Sequence, residues 1–175
     1  ADKEILIGGI SPDSGPASAY GSIGKAISAY FDKVNAEGGV NGRRIKFISV
    51  DDGYNPAKTV EQARKLVEQE EVLFLIQTLG TPPNSAIHKY MNDKKVPQLF
   101  VASGATTWGR DYAQYPYTIG FQPSYRAEGW VYGKYLARTA PNSRIAVLFQ
   151  NDSYGEDLLA GLKSGLVRSK AKVIA

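Results

Sequence analysis

The chain has 175 residues, of which 43% are hydrophobic and 22% charged, with a formal net charge of +4, which is typical of one or two globular domains. It contains no cysteine, which excludes disulfides and thiolate metal sites, and no apolar run near the ~18 residues of a membrane-spanning helix. Basic residues alternate with acidic ones, as across positions 61–68, which indicates a solvated helix rather than a nucleic-acid-binding surface.

Two hydrophobic periods alternate along the first hundred residues. Strand-like runs occur at 5–10, 45–50, 72–76 and 98–102, and the run at 72–76 is continuously apolar, as expected of a strand covered on both faces of a sheet. Between them, apolar residues at helical spacing predict helices at about 19–37, 56–68 and 83–92. This alternation predicts an α/β fold in which a parallel sheet carries helices on both faces.

The alternation breaks between Trp108 and Gln122, a segment rich in tyrosine and interrupted by proline that we expect to be irregular. A new series then follows, with a helix at 124–139, a strand at 144–149, a helix ending near 169 and the start of a strand at 171–174. This second unit has too few strands for a core of its own. We therefore expect one domain at 1–120 and the first part of a second, incomplete domain at 121–175.

The sequence lacks the motifs of common α/β enzymes. Residues 8–12 do not have the spacing of a dinucleotide fingerprint, neither Gly24-Lys25 nor Gly133-Lys134 completes a P-loop, and no Gly-x-Ser-x-Gly elbow occurs. The single histidine, His88, is predicted at a helix surface, so a transition-metal site is not expected. We expect no catalytic residues and no cofactor.

Two adjacent acids, Asp51 and Asp52, follow the second strand at the edge of the sheet where ligands bind. One interpretation makes the chain an α/β enzyme or a phosphoacceptor centred on this pair. The other makes the pair a structural feature that caps the following helix. The structural interpretation is favoured, and the enzymatic one remains an alternative.

Three loops predicted at that edge share a composition rich in glycine and hydroxyl side chains and nearly free of charge. They follow the first, third and fourth strands at 11–21, 78–83 and 103–107. Backbone N–H groups and short hydroxyls at helix N-termini are suited to bind a carboxylate. Ordinary turn chemistry explains any one such loop, whereas three at one edge favour a binding site.

These segments also resemble the type I periplasmic solute-binding proteins for leucine, isoleucine and valine. The similar segments are 7–21, 35–43, 51–56, 95–100, 103–106 and 151–155, in the family's order. The resemblance implies the type I periplasmic-binding-protein fold, in which two α/β lobes close on a ligand. It also implies that a small carboxylate, an amino acid in many members, is delivered to a membrane ABC permease.

The resemblance further implies a periplasmic or otherwise extracytoplasmic location. The chain starts at Ala1 with neither an initiator Met nor an apolar leader, as expected of an exported protein after removal of its signal peptide. A ligand-sensing regulatory domain is a further alternative, because the same fold also serves in receptors and repressors.

The resemblance also suggests site residues. The implied set is Tyr20, Gly80, Thr81, Ala102, Ser103, Gly104, Thr106, Phe121 and Tyr154. The loop around Ser103 and Thr106 would bind the ligand carboxylate through backbone amides and hydroxyls. Gly80 and Thr81 stand where family members often have a serine run, and Tyr20 and Tyr154 would contact the rest of the ligand. The family's remaining ligand groups correspond to positions beyond Ala175, so the sequence leaves the identity of the ligand open.

Overall fold

The computed structural model describes residues 4–175, which form an α/β structure. The strands are β1 (Glu4–Ser11), β2 (Arg44–Asp51), β3 (Phe74–Ile76), β4 (Gln98–Val101), β5 (Thr118–Gly120), β6 (Arg144–Ile145) and β7 (Lys172–Val173). The helices are α1 (Ser22–Ala36), α2 (Pro56–Glu68), α3 (Thr81–Asp93), α4 (Thr107–Arg110), α5 (Tyr125–Thr139) and α6 (Ser153–Gly165), with a short 3-10 helix at Ser18–Gly21.

Five strands form one parallel sheet in the order β2-β1-β3-β4-β5. The longest pairing, between β1 and β2, runs in register from Glu4 opposite Arg44 to Ser11 opposite Asp51. Strands β1, β3 and β4 are neighbours, so the three loops predicted to form a site leave the sheet side by side at its carboxyl edge. The predicted parallel α/β fold is confirmed.

Helices cover both faces of this sheet, as two consecutive glycines of β1 show. A Cβ at Gly8 would lie 2.6 Å from Leu75 and 3.1 Å from Leu66 of α2. A Cβ at Gly9 would lie 2.6 Å from Phe47, whose ring packs edge-on against Phe31 of α1. Because successive residues of a strand point to opposite faces, α1 and α2 lie on opposite sides of the sheet. The larger core lies on the α2 side and comprises Ile10, Ala63, Leu66, Val72, Leu75, Ile87 and Met91.

Strands β6 and β7 form a second, two-stranded parallel sheet beside the helices α5 and α6. Leu162 and Leu166 of α6 and Ala171 are buried there, with Leu136 of α5 and Ile145 packed against them. This smaller core accompanies the second βα series that the sequence predicts after residue 121.

Two element predictions were wrong. Segment 108–122, predicted to be irregular, contains part of α4 and the whole of β5, which is the outer strand of the large sheet. Conversely, the strand predicted at 144–149 ends at Ile145, and residues 146–149 run as irregular chain with Leu148 fully exposed. Its partner β7 pairs with two residues, and beyond them the Val147 N–H still donates to the Ala175 carbonyl at 2.8 Å without forming a regular ladder.

The predicted surface position of His88 was also wrong. The side chain is 7% exposed, stacks on Tyr115 with ring centroids 3.8 Å apart, and meets Trp108 edge-on at 5.0 Å. Both aromatic partners come from the segment that the sequence predicted to be irregular, so the helical pattern around His88 could not indicate this burial.

Among residues 4–175, none of the helices has the length and apolar composition needed to cross a membrane. Within the same residues, no three or more His, Asp or Glu side chains come together in a group suited to a metal ion.

Candidate functional site

The loops after β3 and β4 are joined by backbone hydrogen bonds. Leu79 and Ala102 form an isolated parallel bridge, and the Gly80 N–H donates to the Ala102 carbonyl at 3.2 Å. The Ala102 N–H in turn donates to the Thr78 carbonyl at 3.1 Å. The structure therefore brings together Gly80, Thr81, Ala102 and Ser103, which the resemblance implied to be ligand-binding.

Thr81 and Ser103 form a buried hydroxyl pair at this edge. Their oxygens lie 2.7 Å apart, and the side chains belong to residues that are 3% and 1% exposed. Ser103 Oγ also accepts from the Trp108 indole N–H at 2.8 Å and from the Ala105 backbone N–H at 3.3 Å. A hydroxyl oxygen accepts two hydrogen bonds, so the Ser103 proton is left to donate to Thr81. The Thr81 proton then remains available to a further acceptor.

Thr81 is also the first residue of α3, where backbone N–H groups and the helix dipole favour negative charge. The next two residues, Pro82 and Pro83, have no backbone N–H. Thr81 is therefore the residue of this first turn that can donate through both its backbone N–H and its hydroxyl. The preceding Gly80 has φ 99 and ψ 145, a conformation essentially restricted to glycine.

Thr106, the other predicted hydroxyl donor, already has a carboxylate partner. Its backbone N–H and its hydroxyl both donate to Oδ2 of Asp157, each at 2.7 Å. Thr106 immediately precedes α4, whereas Asp157 belongs to α6, 51 positions further along the chain. Sequence reasoning missed Asp157, although it lies one helical turn after Tyr154, a spacing that places both residues on one face of α6.

Aromatic side chains lie beside these donors. Tyr154 packs edge-on against Tyr125 with ring centroids 4.6 Å apart. A Cβ at Gly104 would lie 2.9 Å from the Tyr125 ring, and a Cβ at Gly80 would lie 2.4 Å from the Tyr54 ring. Two of the predicted site glycines therefore leave room for tyrosines that sequence reasoning missed. Gly80 and Gly104 are therefore required by shape, because any side chain at either position would meet a tyrosine ring.

The environment of Tyr54 and of Tyr154 favours the protonated phenol. Burial, with the neighbouring charge of Asp152, raises the pKa of Tyr54, and burial together with nearby Tyr125 raises the pKa of Tyr154. Tyr20 belongs to the 3-10 helix, is 57% exposed and is near enough to Tyr154 to act on its pKa. Protonated phenols of this kind can donate hydrogen bonds and offer apolar faces.

The acids Asp51 and Asp52 act as scaffold in this structure. Asp51 accepts hydrogen bonds from the backbone N–H groups of Asp13, Ser14 and Gly53 and from the Ser14 hydroxyl, which hold its pKa below the usual value. Asp51 thereby ties the loop after β1 to the end of β2. These bonds give the pair a structural role, but the predicted capping of the following helix was wrong, since Asn55 is the residue whose side chain caps α2.

Asp52 is fully buried and accepts from the Thr59 hydroxyl at 2.7 Å and from the Tyr54 N–H at 2.9 Å. Tyr54 has a φ of 62, an uncommon value for a residue other than glycine. Asp52 therefore holds Tyr54 in the backbone conformation that places its ring against Gly80.

Phe121 lines a cavity of about 460 Å³ beside the hydroxyl loop. Ser103, Gly104, Thr106 and Arg110 line the same cavity. Phe121 itself is exposed and meets Phe100 edge-on at 6.4 Å. The structure thus places Phe121 on the β5 side of the site, apart from the tyrosines.

Comparison with known proteins agrees with this architecture. The family described as periplasmic binding protein matches residues 4–175. The Leu/Ile/Val-binding protein of Escherichia coli K12 is 27% identical over 98% of this chain and 46% of its own length. The chain thus spans less than half the length of this relative.

Solved structures give the same result. A possible leucine/isoleucine/valine-binding protein from Rhodopirellula baltica SH 1 is 27% identical with a TM-score of 0.83, over 95% of this chain and 44% of that one. A solute-binding protein of an ABC transporter from R. palustris, in complex with benzoate, is 25% identical with a TM-score of 0.80, over 98% and 47%. The chain therefore belongs to the periplasmic binding proteins of the leucine/isoleucine/valine-binding type, a family of solute-binding proteins rather than enzymes.

Proposed function

We propose that the chain forms the first lobe, residues 1–120, and part of the second lobe of an extracytoplasmic solute-binding protein that delivers a small carboxylate to an ABC permease. A branched-chain or other amino acid is the ligand class that we favour. The protein would be located in the periplasm or an equivalent extracytoplasmic space. A ligand-sensing regulatory domain remains an alternative prediction, since it would use the same site.

The observation that carries the proposal is the Thr81–Ser103 pair. Ser103 is saturated by Trp108 and Ala105, which leaves Thr81 with a buried hydroxyl proton to donate at a helix N-terminus. A buried donor without an acceptor costs about 1–3 kcal/mol, so a ligand oxygen placed there is favoured. A carboxylate suits this position because it accepts several hydrogen bonds and gains from the helix dipole.

The names of similar proteins support the same ligand class. Leucine, isoleucine and valine, named for the Escherichia coli relative, and benzoate, bound in the R. palustris structure, are all small carboxylates with an apolar body. Around the site of this chain, Tyr54, Tyr125 and Tyr154 offer aromatic surface for such a body.

The test is a titration of the full-length protein with leucine, isoleucine, valine and benzoate, followed by thermal unfolding and calorimetry. A ligand present at about 100 times its Kd should stabilise the protein by about 2.7 kcal/mol. Thr81→Val keeps the side-chain shape and removes the hydroxyl, so we expect binding to weaken by about tenfold or more.

Thr139→Val serves as the matched control, because this exposed threonine at the end of α5 bonds only its own helix, at the Tyr135 carbonyl. Its affinity should equal that of the wild type. Unchanged affinity in Thr81→Val, or binding of none of the four compounds, would contradict the proposal.

A further inference from the structure

Thr106 binds the carboxylate of Asp157 in the way that it could bind the carboxylate of a ligand. The N–H and the O–H of one residue converge on a single oxygen, Oδ2 of Asp157, at 2.7 Å each. Hydrogen bonds to an ionised acceptor are stronger than those between neutral groups. Both side chains are half-buried, so solvent screens this contact less than it screens an exposed pair.

The same two donors belong to the carboxylate-binding loop of the proposed function. Thr106 lines the cavity together with Ser103 and Gly104, next to the Thr81–Ser103 pair. Each N–H or O–H proton donates one strong hydrogen bond, and two carboxylates in one place repel each other. The Asp157 carboxylate and a ligand carboxylate therefore cannot both use Thr106.

We propose, on the basis of the proposed function, that Asp157 is an internal competitor that occupies the ligand-carboxylate donors of Thr106 until a ligand displaces it. Asp157 belongs to α6, whereas Thr106 lies between β4 and α4, so displacement of the carboxylate breaks the contact between α6 and this loop.

Whether substitution of Asp157 strengthens or weakens ligand binding shows whether Asp157 is a competitor. When a contact leaves only a fraction of molecules competent to bind, the apparent Kd rises by the inverse of that fraction. Removal of a competitor therefore strengthens ligand binding, whereas removal of a residue that positions Thr106 for the ligand weakens it. Both roles predict that loss of Thr106 donors weakens binding.

The experiment compares Asp157→Asn and Asp157→Ala with the wild type in the full-length protein, by calorimetric titration with leucine and with benzoate. If the contact is formed in about nine-tenths of molecules, Asp157→Ala binds about tenfold more tightly. Asp157→Asn keeps a neutral, weaker acceptor and should bind more tightly by a smaller factor. Glu156→Gln is the matched control, because it removes the same charge from the adjacent, exposed position of α6 and should leave affinity within about twofold. Thr106→Val removes the hydroxyl donor and keeps the backbone N–H, so in this background the Asp157 substitutions should have a smaller effect.

A readout without ligand separates this proposal from the proposed function. In the wild type, the Thr106 amide should exchange its hydrogen more slowly than in Asp157→Ala, since the carboxylate protects it. Equal exchange rates would overturn the proposal that Asp157 occupies the Thr106 donors, whatever the ligand is. Slower exchange in the wild type with unchanged or weaker binding in both Asp157 variants would overturn the competitor and leave the proposed function standing.

If slow exchange is present and neither probe binds the wild type or either variant, carboxylate binding itself fails and the competitor fails with it. Binding to the Asp157 variants alone would support both proposals.

Discussion

Single residues of this chain hold their positions through shape as much as through hydrogen bonds. At Gly80, a backbone conformation reserved for glycine coincides with the close approach of the Tyr54 ring, where a Cβ would lie 2.4 Å away. Tyr54 is itself held at positive φ by Asp52. Each of these residues constrains the next, so a change at Gly80 should reach the tyrosine beside the site.

We expect Gly80→Ala to destabilise the protein by about 2–4 kcal/mol, because backbone strain and overpacking against Tyr54 add together. Gly38→Ala is the matched control: its φ of 104 is similar, but among the described residues no atom lies within 4 Å of the added Cβ. Strain alone should cost this control about 1–2 kcal/mol. Urea unfolding of both variants measures the difference, and equal losses would show that the Tyr54 contact contributes nothing.

At the scale of elements, the helices α5 and α6 contact each other at glycines of both helices. A Cβ at Gly161 would lie 2.1 Å from the Arg126 carbonyl oxygen, and one at Gly129 would lie 2.2 Å from that of Leu158. Gly133 and Gly165 approach each other in the same way, with 2.8 Å between the added Cβ of one and the Cα of the other. The helices therefore meet backbone to backbone, a geometry that a larger side chain at any of these positions would prevent.

Gly161→Ala sets two effects against each other. Alanine favours a helix over glycine by about 1 kcal/mol, whereas the clash with a backbone oxygen costs about 1–3 kcal/mol or more. Because backbone cannot rotate away as a side chain can, we expect net destabilisation and a lower Tm. Ser164→Ala, on the exposed face of α6, should leave Tm unchanged or slightly raised. A Tm for Gly161→Ala at or above that of the wild type would rule out the close crossing.

Sequence patterns predicted elements best where many residues share one period. Strands β1 and β2 each extend one residue beyond both predicted ends, because strands of eight residues contain enough apolar positions to be recognised. Strand β5 was missed because its three residues, Thr118–Gly120, are too few to show a period. Residues 146–149 were assigned to a strand because their apolar composition was read without knowledge of their pairing partner.

At the scale of the whole molecule, His88 links folding stability to pH. Burial lowers its pKa, and the charge of Asp111 offsets this effect only in part. Among the described residues, its buried Nε2 atom has no hydrogen-bond partner. In the unfolded chain, histidine has a pKa of about 6.5 and takes up its proton first as the pH falls. The free energy of unfolding is therefore unaffected by His88 above about pH 7.5 and decreases as the pH falls through about 6.5.

His88→Phe keeps an aromatic ring against Tyr115 and Trp108 and removes the titrating group. We expect the variant to lose less stability than the wild type between pH 8 and pH 5, as measured by Tm at intervals of pH. Acids titrate in both proteins, so the difference between the two curves isolates His88. Parallel curves would contradict the buried, neutral histidine.

The candidate site was predictable only where it lies close to a strand end. Gly80, Thr81, Ala102 and Ser103 follow β3 and β4 directly, and the parallel topology alone brings them together. Asp157 and Tyr125 reach the site through the packing of α5 and α6, which no periodicity encodes. The resemblance pointed to Thr106 as a donor, but its present acceptor could be found only in three dimensions.

Pro82 and Pro83 have a further consequence for binding. Proline fixes its own φ, and together with the Gly80–Ala102 and Thr81–Ser103 hydrogen bonds it holds one wall of the site in a single conformation. The conformational entropy of this wall is therefore lost when the chain folds rather than when a ligand arrives.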